Sequence, residues 1–260
     1  MLDSPLKLNG RVLVIESADE LYDHLAGALL GRAVRAVRAR EVFHLALSGG
    51  TTPEPFYIRL VTDPRFRMLP WERTHVWIVD ERRVSEDDER SNFKLIRETL
   101  TDHVPMTARN VHRMVALDDA AADEYERQLR QTISPEGDSD SPALSAMPRL
   151  DFVLLGMGED GHTASLFPKS DAVNEASRLV AINEGPFVTP PSRITMTFPL
   201  LNAARDLAVL VTGDKKTRTL KRVEEQLRAT GPAPHTLPIT GIQPVNGNLT
   251  WYLDGAAAGA

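Results

Sequence analysis

The sequence predicts an α/β protein with a largely parallel sheet that helices cover on both faces. Three observations predict this class. The chain contains short apolar runs rich in Val, Leu and Ile, each run ends in a polar, glycine-containing or acidic loop, and a helical stretch then follows. Strands that alternate with helices imply crossover connections, which place helices against both faces of a parallel sheet.

The first predicted element is a helix over residues 19–40. Its apolar residues recur every four positions and mark one helical face; they are Leu21, Leu25, Leu29, Ala33 and Val37. Arg32, Arg35 and Arg38 lie on another face of this helix. They form either a solvated surface or a patch for a partner or a phosphate, and charged residues on a helix usually cover surface.

The later elements follow from the change between short apolar runs and helical periodicity. Strands are predicted at residues 42–47, 75–79, 150–155, 178–182, 194–198, 207–211 and 249–253. Helices are predicted at residues 55–61, 92–100, 120–131 and 215–228. Ser91 is well placed to cap the second of these helices, because a serine hydroxyl accepts from the free N–H groups of a first turn.

We expect a single domain over residues 1–260, since this length suits one large α/β domain. Residues 133–148, ISPEGDSDSPALSAMP, are rich in Ser, Pro and Asp and show no apolar period. The composition predicts a flexible surface loop there, and a boundary between two lobes is the alternative.

Composition and charge exclude several classes of protein. Hydrophobic residues make up 42% and charged residues 25%, which is typical of a soluble globular protein and not of a disordered or membrane protein. The formal charge of −6 provides no basic field for nucleic acid or an anionic membrane, so an anionic substrate needs a few placed cations. The chain has no cysteine, which excludes disulfides and thiolate chemistry. Its first residues lack a signal-peptide pattern, and we expect a cytoplasmic protein.

Candidate functional residues lie in four loops that follow predicted strands. In an open parallel sheet, ligands bind outside the carboxyl ends of the strands, so these loops are expected to share one site. The loops are Ser48-Gly49-Gly50-Thr51-Thr52-Pro53, Asp80-Glu81-Arg82-Arg83, Gly156-Met157-Gly158-Glu159-Asp160-Gly161-His162 and Gly213-Asp214-Lys215-Lys216.

The first and last loops suggest an anion site. Two glycines and three hydroxyl residues precede a predicted helix, where backbone N–H groups and the helix N-terminus favour negative charge. Lys215, Lys216 and Arg193 are candidate counter-charges, although each is also explained as ordinary surface charge.

The second loop combines acidic and basic residues at a strand end. Its carboxylates suit the binding of sugar hydroxyls or the movement of protons, and an arginine there suits an oxyanion. A structural cluster of ion pairs explains the same residues equally well.

The third loop matches the G-x-G-x-x-G pattern of dinucleotide-binding proteins, but two features argue against a dinucleotide. The turn signal at Pro168 leaves no room for the long helix that such a loop opens, and Glu159 and Asp160 would face the pyrophosphate. A better interpretation is a catalytic His162 that Asp160 orients. None of the seven histidines belongs to a closely spaced ligand set, so we expect no metal.

Seven motifs, in order along the chain, resemble the 6-phosphogluconolactonase family. They are LALSGGTTP, VDERRV followed by SNFKLI, LLGMGEDGHTASLFP, SRITMTF, LVTGDKK, ITGI and WYLDGAAA, spread over residues 45–258. The resemblance implies a Rossmann-like three-layer α/β sandwich, shared with glucosamine-6-phosphate isomerase/deaminases. It also implies hydrolysis of 6-phospho-D-glucono-1,5-lactone to 6-phosphogluconate in the oxidative pentose phosphate pathway, without a cofactor.

The resemblance assigns roles to individual residues. The positions that correspond to phosphate-binding residues are Ser48, Gly49, Gly50, Thr51, Arg193 and Lys216. His162 matches the histidine that activates water, with Asp160 as its neighbour, and Asp80 and Arg82 match the acidic and basic pair of the D-E-R motif. His162 then takes a proton from water and returns it to the ring oxygen. Loop N–H groups or Arg82 meet the oxyanion, and both options stay open.

The sequence allows two alternatives, a sister activity and a protein of another functional class. Amino-sugar-phosphate isomerase/deaminases share the glycine loop and D-G-H-x-A but typically continue to N-E-P, where this chain has Leu166-Phe167-Pro168. The missing carboxylate favours the lactonase. A catalytically silent sugar-phosphate-binding protein is the second alternative, and retention of Asp160 and His162 argues against it. The expected partner is a sugar-phosphate lactone, and the expected state is a monomer or small homo-oligomer.

Overall fold

A computed structural model describes residues 6–135, 144–145 and 147–259. In this part of the chain the strands are β1 Arg11–Ile15, β2 Phe43–Leu47, β3 Thr74–Ile78, β4 Asp80–Arg82, β5 Val111–His112, β6 Phe152–Leu155, β7 Val180–Glu184, β8 Ser192–Met196, β9 Asp206–Val211 and β10 Asn248–Asp254. The α-helices in the same residues are α1 Ala18–Arg40, α2 Glu54–Thr62, α3 Asn92–Thr99, α4 Ala121–Thr132, α5 Phe198–Ala203, α6 Thr217–Ala229 and α7 Gly255–Ala258.

The central sheet has the strand order β1-β10-β9-β6-β2-β3-β5 within the described residues. Every neighbouring pair in it is parallel. All its strands therefore direct their carboxyl ends to the same edge. The predicted α/β class with a largely parallel sheet is confirmed.

Helices cover both faces of this sheet because the side chains of each strand alternate between two hydrophobic clusters. In β9, Leu207 and Val209 face the cluster that includes residues of α4, α5 and α6, whereas Ala208 and Leu210 face the cluster formed with α1, α2 and α3. This alternation produces a three-layer sandwich, as predicted.

Local signals define the ends of several helices. Ser91 caps α3, since its hydroxyl accepts from the N–H of Lys94 at 3.1 Å. Ser17 caps α1 in the same way through the N–H of Glu20, and Glu41 ends that helix in the left-handed conformation with φ of 64°. All five predicted helices and all seven predicted strands agree in their bounds with the structure to within two residues.

The segments predicted as strands at 178–182 and 194–198 are strands in the structure, but they do not belong to the parallel sheet. They correspond to β7 and β8, which form a separate antiparallel sheet with β4 in the described residues. Only seven residues, 185–191, join β7 to β8, and a parallel pair needs a crossover of a dozen or more. Residues 80–82, predicted as part of a loop, are the third strand of this small sheet. The parallel strands β1 and β5 are absent from the prediction.

The predicted flexible loop at 133–148 lies partly outside the described residues, which omit 136–143 and 146. Ile133 and Leu144, near the two ends of that segment, are buried. The flexibility of the segment stays a prediction. None of the helices in the described part of the chain combines the length and apolar character needed to cross a lipid bilayer.

Candidate active site

A cleft of about 390 Å³ lies at the carboxyl edge of the central sheet, where the four predicted loops converge. The residues that line it include nine of the ten predicted site residues: Ser48, Gly49, Gly50, Thr51, Asp80, Arg82, His162, Arg193 and Lys216. The tenth, Asp160, contacts the cleft residue His162. Lining residues outside the predicted set include Asn92, Ser165 and Phe167.

His162 and Asp160 form a hydrogen-bonded pair. The Nδ1 atom of His162 lies 2.6 Å from Oδ1 of Asp160, and the same oxygen accepts from the backbone N–H of His162 at 3.0 Å. Burial by itself would raise the pKa of Asp160, but the hydrogen bonds from His162 outweigh it and lower that pKa. An ionised carboxylate can only accept, so in the neutral ring Nδ1 carries the proton and Nε2 has the lone pair that a base needs.

The loop after β2 presents backbone N–H groups to the cleft. Within the described residues, the N–H groups of Gly49, Gly50 and Thr51 donate to no other protein group. Gly50 has φ of 104°, a conformation that favours glycine. Ser48 is held on both sides, because its hydroxyl donates to the carbonyl of Leu154 at 2.9 Å and its carbonyl accepts from the hydroxyl of Tyr57 at 2.5 Å. The loop is thus a rigid set of donors before α2, suited to an anion.

Asp80 is a buried carboxylate that two contacts immobilise. Its Oδ2 accepts from the hydroxyl of Ser165 at 2.6 Å, and its carbonyl accepts from Nδ2 of Asn92 at 2.6 Å. The backbone N–H of Ser165 in turn donates to Oγ1 of Thr195 at 3.1 Å. These bonds connect four separate segments of the chain and fix Asp80 at the cleft wall.

Arg82 and Arg193 lie directly opposite each other in the antiparallel pair of β4 and β8. Arg193 is only 5% exposed, yet it makes no hydrogen bond through its guanidinium and no ion pair with any described residue. Burial lowers its pKa and the neighbouring Arg82 lowers it further, whereas the more distant carboxylates of Asp80, Glu81 and Glu184 oppose these effects without pairing with it. A buried charge without a partner is costly, and like charges opposite each other on a sheet repel. A bound anion would relieve both penalties.

Lys216 lines the cleft, whereas its neighbour Lys215 is exposed and does not. The ammonium group of Lys216 forms no ion pair with the described residues, so its charge is available to a ligand. The loop that carries it is anchored by the carboxylate of Asp254, which accepts from the N–H of Gly213 at 3.0 Å.

Phe167 forms an apolar part of the cleft wall. Its ring centroid lies 5.0 Å from that of His162, and the guanidinium carbon of Arg193 lies 6.0 Å from it. The sequence signal for this residue was its place in the GHTASLFP motif. Ser165 lies in the same motif, and Asn92 lies in SNFKLI. Membership in these motifs was the sequence signal that could have identified the three residues as part of the site.

The side chains of residues 80–83 point alternately to opposite faces, as in a β-strand. Asp80 and Arg82 line the cleft, while Glu81 and Arg83 do not. Arg83 donates to the carbonyl of Ala116 at 2.9 Å and to Asp119 at 2.7 Å, outside the site. Among the described residues, no three His, Asp or Glu side chains are arranged so that one metal ion could bind them all.

Comparisons with known proteins agree on one family. A model of glucosamine-6-phosphate isomerases/6-phosphogluconolactonase matches residues 16–251. The human GDH/6PGL endoplasmic bifunctional protein is 38% identical over 250 residues, which are 93% of this chain but only 29% of that protein. A probable 6-phosphogluconolactonase 2 from Oryza sativa subsp. indica is 34% identical, covering 97% of this chain and 90% of the relative. The crystal structure of 6-phosphogluconolactonase from Trypanosoma cruzi superposes with a TM-score of 0.80 at 27% identity, covering 98% and 97% of the two chains.

Proposed function

The chain belongs to the glucosamine-6-phosphate isomerase/6-phosphogluconolactonase family, and on that premise we propose that it hydrolyses 6-phospho-D-glucono-1,5-lactone to 6-phosphogluconate. This reaction is a step of the oxidative pentose phosphate pathway. The enzyme is then a carboxylic ester hydrolase that acts on a ring ester.

One observation carries the proposal: an unpaired, buried Arg193 lies opposite Arg82 in the same cleft as the His162 and Asp160 pair. The two arginines favour an anionic substrate, and the pair of His162 and Asp160 supplies a base. A cleft of about 390 Å³ is within the usual range for a small-molecule site. An anionic, hydrolysable small molecule satisfies all three features.

The phosphate is bound by Arg193, Lys216 and the glycine loop of residues 48–51. A charge-assisted hydrogen bond to a phosphate oxygen is stronger than a neutral one and positions the rest of the substrate. Binding energy from this remote group orients the lactone carbonyl toward the base, and this is how it serves catalysis.

The base is Nε2 of His162. It takes a proton from water, and the hydroxide attacks C1 of the lactone to give a tetrahedral oxyanion. Loop N–H groups or the guanidinium of Arg82 stabilise that charge. The bond between C1 and the ring oxygen then breaks, and the imidazolium returns its proton to the departing oxygen. Asp160 holds the ring throughout and stabilises the imidazolium.

The family also contains isomerases that act on an amino-sugar phosphate. Phe167 occupies the position at which those enzymes typically place a glutamate, and its ring lies 5.0 Å from that of His162. A phenyl ring cannot accept or donate a proton. This residue favours hydrolysis over isomerisation and deamination.

The test is a coupled assay with freshly generated 6-phosphogluconolactone, which follows acid release with and without the protein. We expect hydrolysis well above the spontaneous rate, retained after exhaustive chelation, and no ammonia from glucosamine 6-phosphate. Ammonia release, or an activity that chelator removes and metal restores, would contradict the proposal. The cytoplasmic location, the oligomeric state and the absence of a nucleic-acid partner stay predictions.

A further inference from the structure

Glu81 is a buried carboxylate between two cleft residues of β4. It is 2% exposed, and no cationic side chain pairs with it among the described residues. Burial raises its pKa, although four hydrogen bonds oppose that effect. Its side chain lies on the other face of the strand from Asp80 and Arg82, so it does not line the cleft. A buried carboxylate without a counter-ion requires another explanation.

The four donors to this carboxylate come from two segments. Oε1 accepts from the backbone N–H of Arg82 at 2.8 Å and of Asn92 at 2.7 Å. Oε2 accepts from the backbone N–H of Phe93 at 2.8 Å and from the hydroxyl of Ser91 at 3.1 Å. Strand β4 and the start of α3 are therefore joined through one side chain.

At α3 the carboxylate acts as a helix cap from a distant part of the chain. The first N–H groups of a helix have no partner within the helix, and a negative charge there is favourable. Glu81 binds those of Asn92 and Phe93, and Ser91 binds that of Lys94. The orientation of α3 relative to β4 depends on Glu81 as a result.

The effect reaches the cleft through Asn92. Its Nδ2 donates to the carbonyl of Asp80 at 2.6 Å, and its Oδ1 lies 1.9 Å from the place where a Cβ on Gly49 would be. The Asn92 amide thus fills the space that the missing Gly49 side chain leaves. Strand β4, the start of α3 and the glycine loop are packed together around this one amide.

We propose that Glu81 is a positioning residue for the cleft, which holds Arg82, Asn92 and the glycine loop in register through its four hydrogen bonds. The proposal rests on the proposed lactonase function, because its main readout is that reaction. It assigns Glu81 no contact with the substrate.

The decisive variant is Glu81→Gln, which places an NH₂ group against N–H donors and removes the charge while keeping the size. We expect kcat/KM to fall by about tenfold or more, through both a higher KM and a lower kcat, since about 1.4 kcal/mol of lost positioning corresponds to tenfold. Glu81→Asp retains the charge and should recover part of the loss.

The matched control is Asp151→Asn. Asp151 is also a buried carboxylate, 3% exposed, but it binds the N–H of His44 and the side chain of Arg40 away from the cleft. We expect this variant to lower the melting temperature and keep kcat/KM. Equal losses of kcat/KM in the two variants, or wild-type kinetics in folded Glu81→Gln, would overturn the proposal.

If Glu81→Gln does not fold, Ser91→Ala decides. It removes one donor to Glu81 together with the cap on the N–H of Lys94 and leaves the carboxylate, and we expect a smaller fall in kcat/KM; unchanged kinetics would contradict the proposal. If the wild type itself lacks lactonase activity, the proposed function fails. Calorimetric binding of inorganic phosphate then replaces kinetics, and wild-type affinity in a folded Glu81→Gln protein would contradict positioning.

Discussion

Asp160 and His162 face each other across Gly161, with 2.6 Å between Oδ1 and Nδ1. Gly161 has φ of 89°, and a Cβ there would lie 2.6 Å from Cδ2 of Leu237. Only glycine suits this position, and its conformation lets the chain fold back so that the carboxylate reaches both the ring and the backbone N–H. The orientation of the base is therefore built into three consecutive residues.

We expect His162→Ala to keep the fold and to lower kcat by about 10² to 10⁴, the usual contribution of a general acid–base residue. The spontaneous hydrolysis of the lactone must be subtracted from the measured rate. Asp160→Asn should give a smaller loss, since it removes the orienting charge and keeps the imidazole. A folded His162→Ala protein with nearly wild-type kcat would make Asp80 the leading candidate for the base.

The pH profile provides a separate check of the same residue. Because a base must be neutral to accept a proton, kcat of the wild type should fall at acidic pH. The hydrogen bonds from His162 lower the pKa of Asp160, so protonation of that carboxylate requires a lower pH than for a free aspartate. His162→Ala should lack this acidic limb.

Arg193→Ala and Lys216→Ala should each weaken use of the phosphorylated lactone by roughly 10- to 150-fold, since a charge-assisted hydrogen bond contributes about 1.5 to 3 kcal/mol. Unphosphorylated gluconolactone should be affected little. Lys215→Ala is the matched control, because Lys215 is exposed outside the cleft and should tolerate the change. Equal losses with both substrates would exclude a specific role in phosphate recognition.

Gly49→Ala should disturb the glycine loop, because the new methyl group would overlap the amide of Asn92. We expect kcat/KM to fall by about tenfold or more, as for other sterically forced shifts of catalytic groups. The double variant with Asn92→Ala tests the cause. If the clash is responsible, Gly49→Ala adds little to the loss caused by Asn92→Ala alone, and additive losses would argue against it.

Three histidines on adjacent strands predict sensitivity to acid. Nδ1 of His75 lies 2.9 Å from Nε2 of His112, and His44 packs 5.1 Å from His75 between ring centroids. Burial, followed by the charge of His75, lowers the pKa of His44 to about 3 and that of His112 to about 4. Below pH 6.5 the unfolded chain therefore binds more protons than the folded one, and stability falls as the pH drops toward 4.

The measurement is the free energy of unfolding between pH 7 and pH 4. The expected loss is on the order of a few kcal/mol, since each pKa unit corresponds to about 1.4 kcal/mol. His112→Gln should make the dependence on pH less steep. His24→Gln, on the exposed face of α1, should leave the slope unchanged. An unchanged slope in His112→Gln would contradict the assignment.

Gly27→Ala should stabilise the protein by about 0.5 to 1 kcal/mol, because glycine weakens a helix interior and no atom lies within 4 Å of a Cβ there. Gly231→Ala is the control: its Cβ also has open space, but φ is 80°. That variant should be destabilised by about 1 kcal/mol. Thermal unfolding of both variants checks the pair, and kcat/KM of Gly27→Ala should stay at the wild-type value.

Periodicity and motifs within the sequence predicted most of the elements and the loops that form the cleft. The reason is that these patterns follow from local burial: β9 is buried on both faces and reads as a continuous apolar run, whereas α1 is buried on one face and shows helical spacing. The SGG, DER and DGH motifs likewise keep their functional residues close together in sequence. These local signals can be recognised without knowing which segments contact each other in the folded protein.

The pairing of distant segments was decided only by the tertiary structure. Asp80–Arg82 is too short to show a strand period, and it is extended because β8 supplies its hydrogen-bonding partner. That register brings Arg193 opposite Arg82 and leaves it buried without a partner, and it turns Glu81 toward α3. Such contacts join residues about ten to more than one hundred positions apart, and their stability depends on packing and burial that no local pattern records.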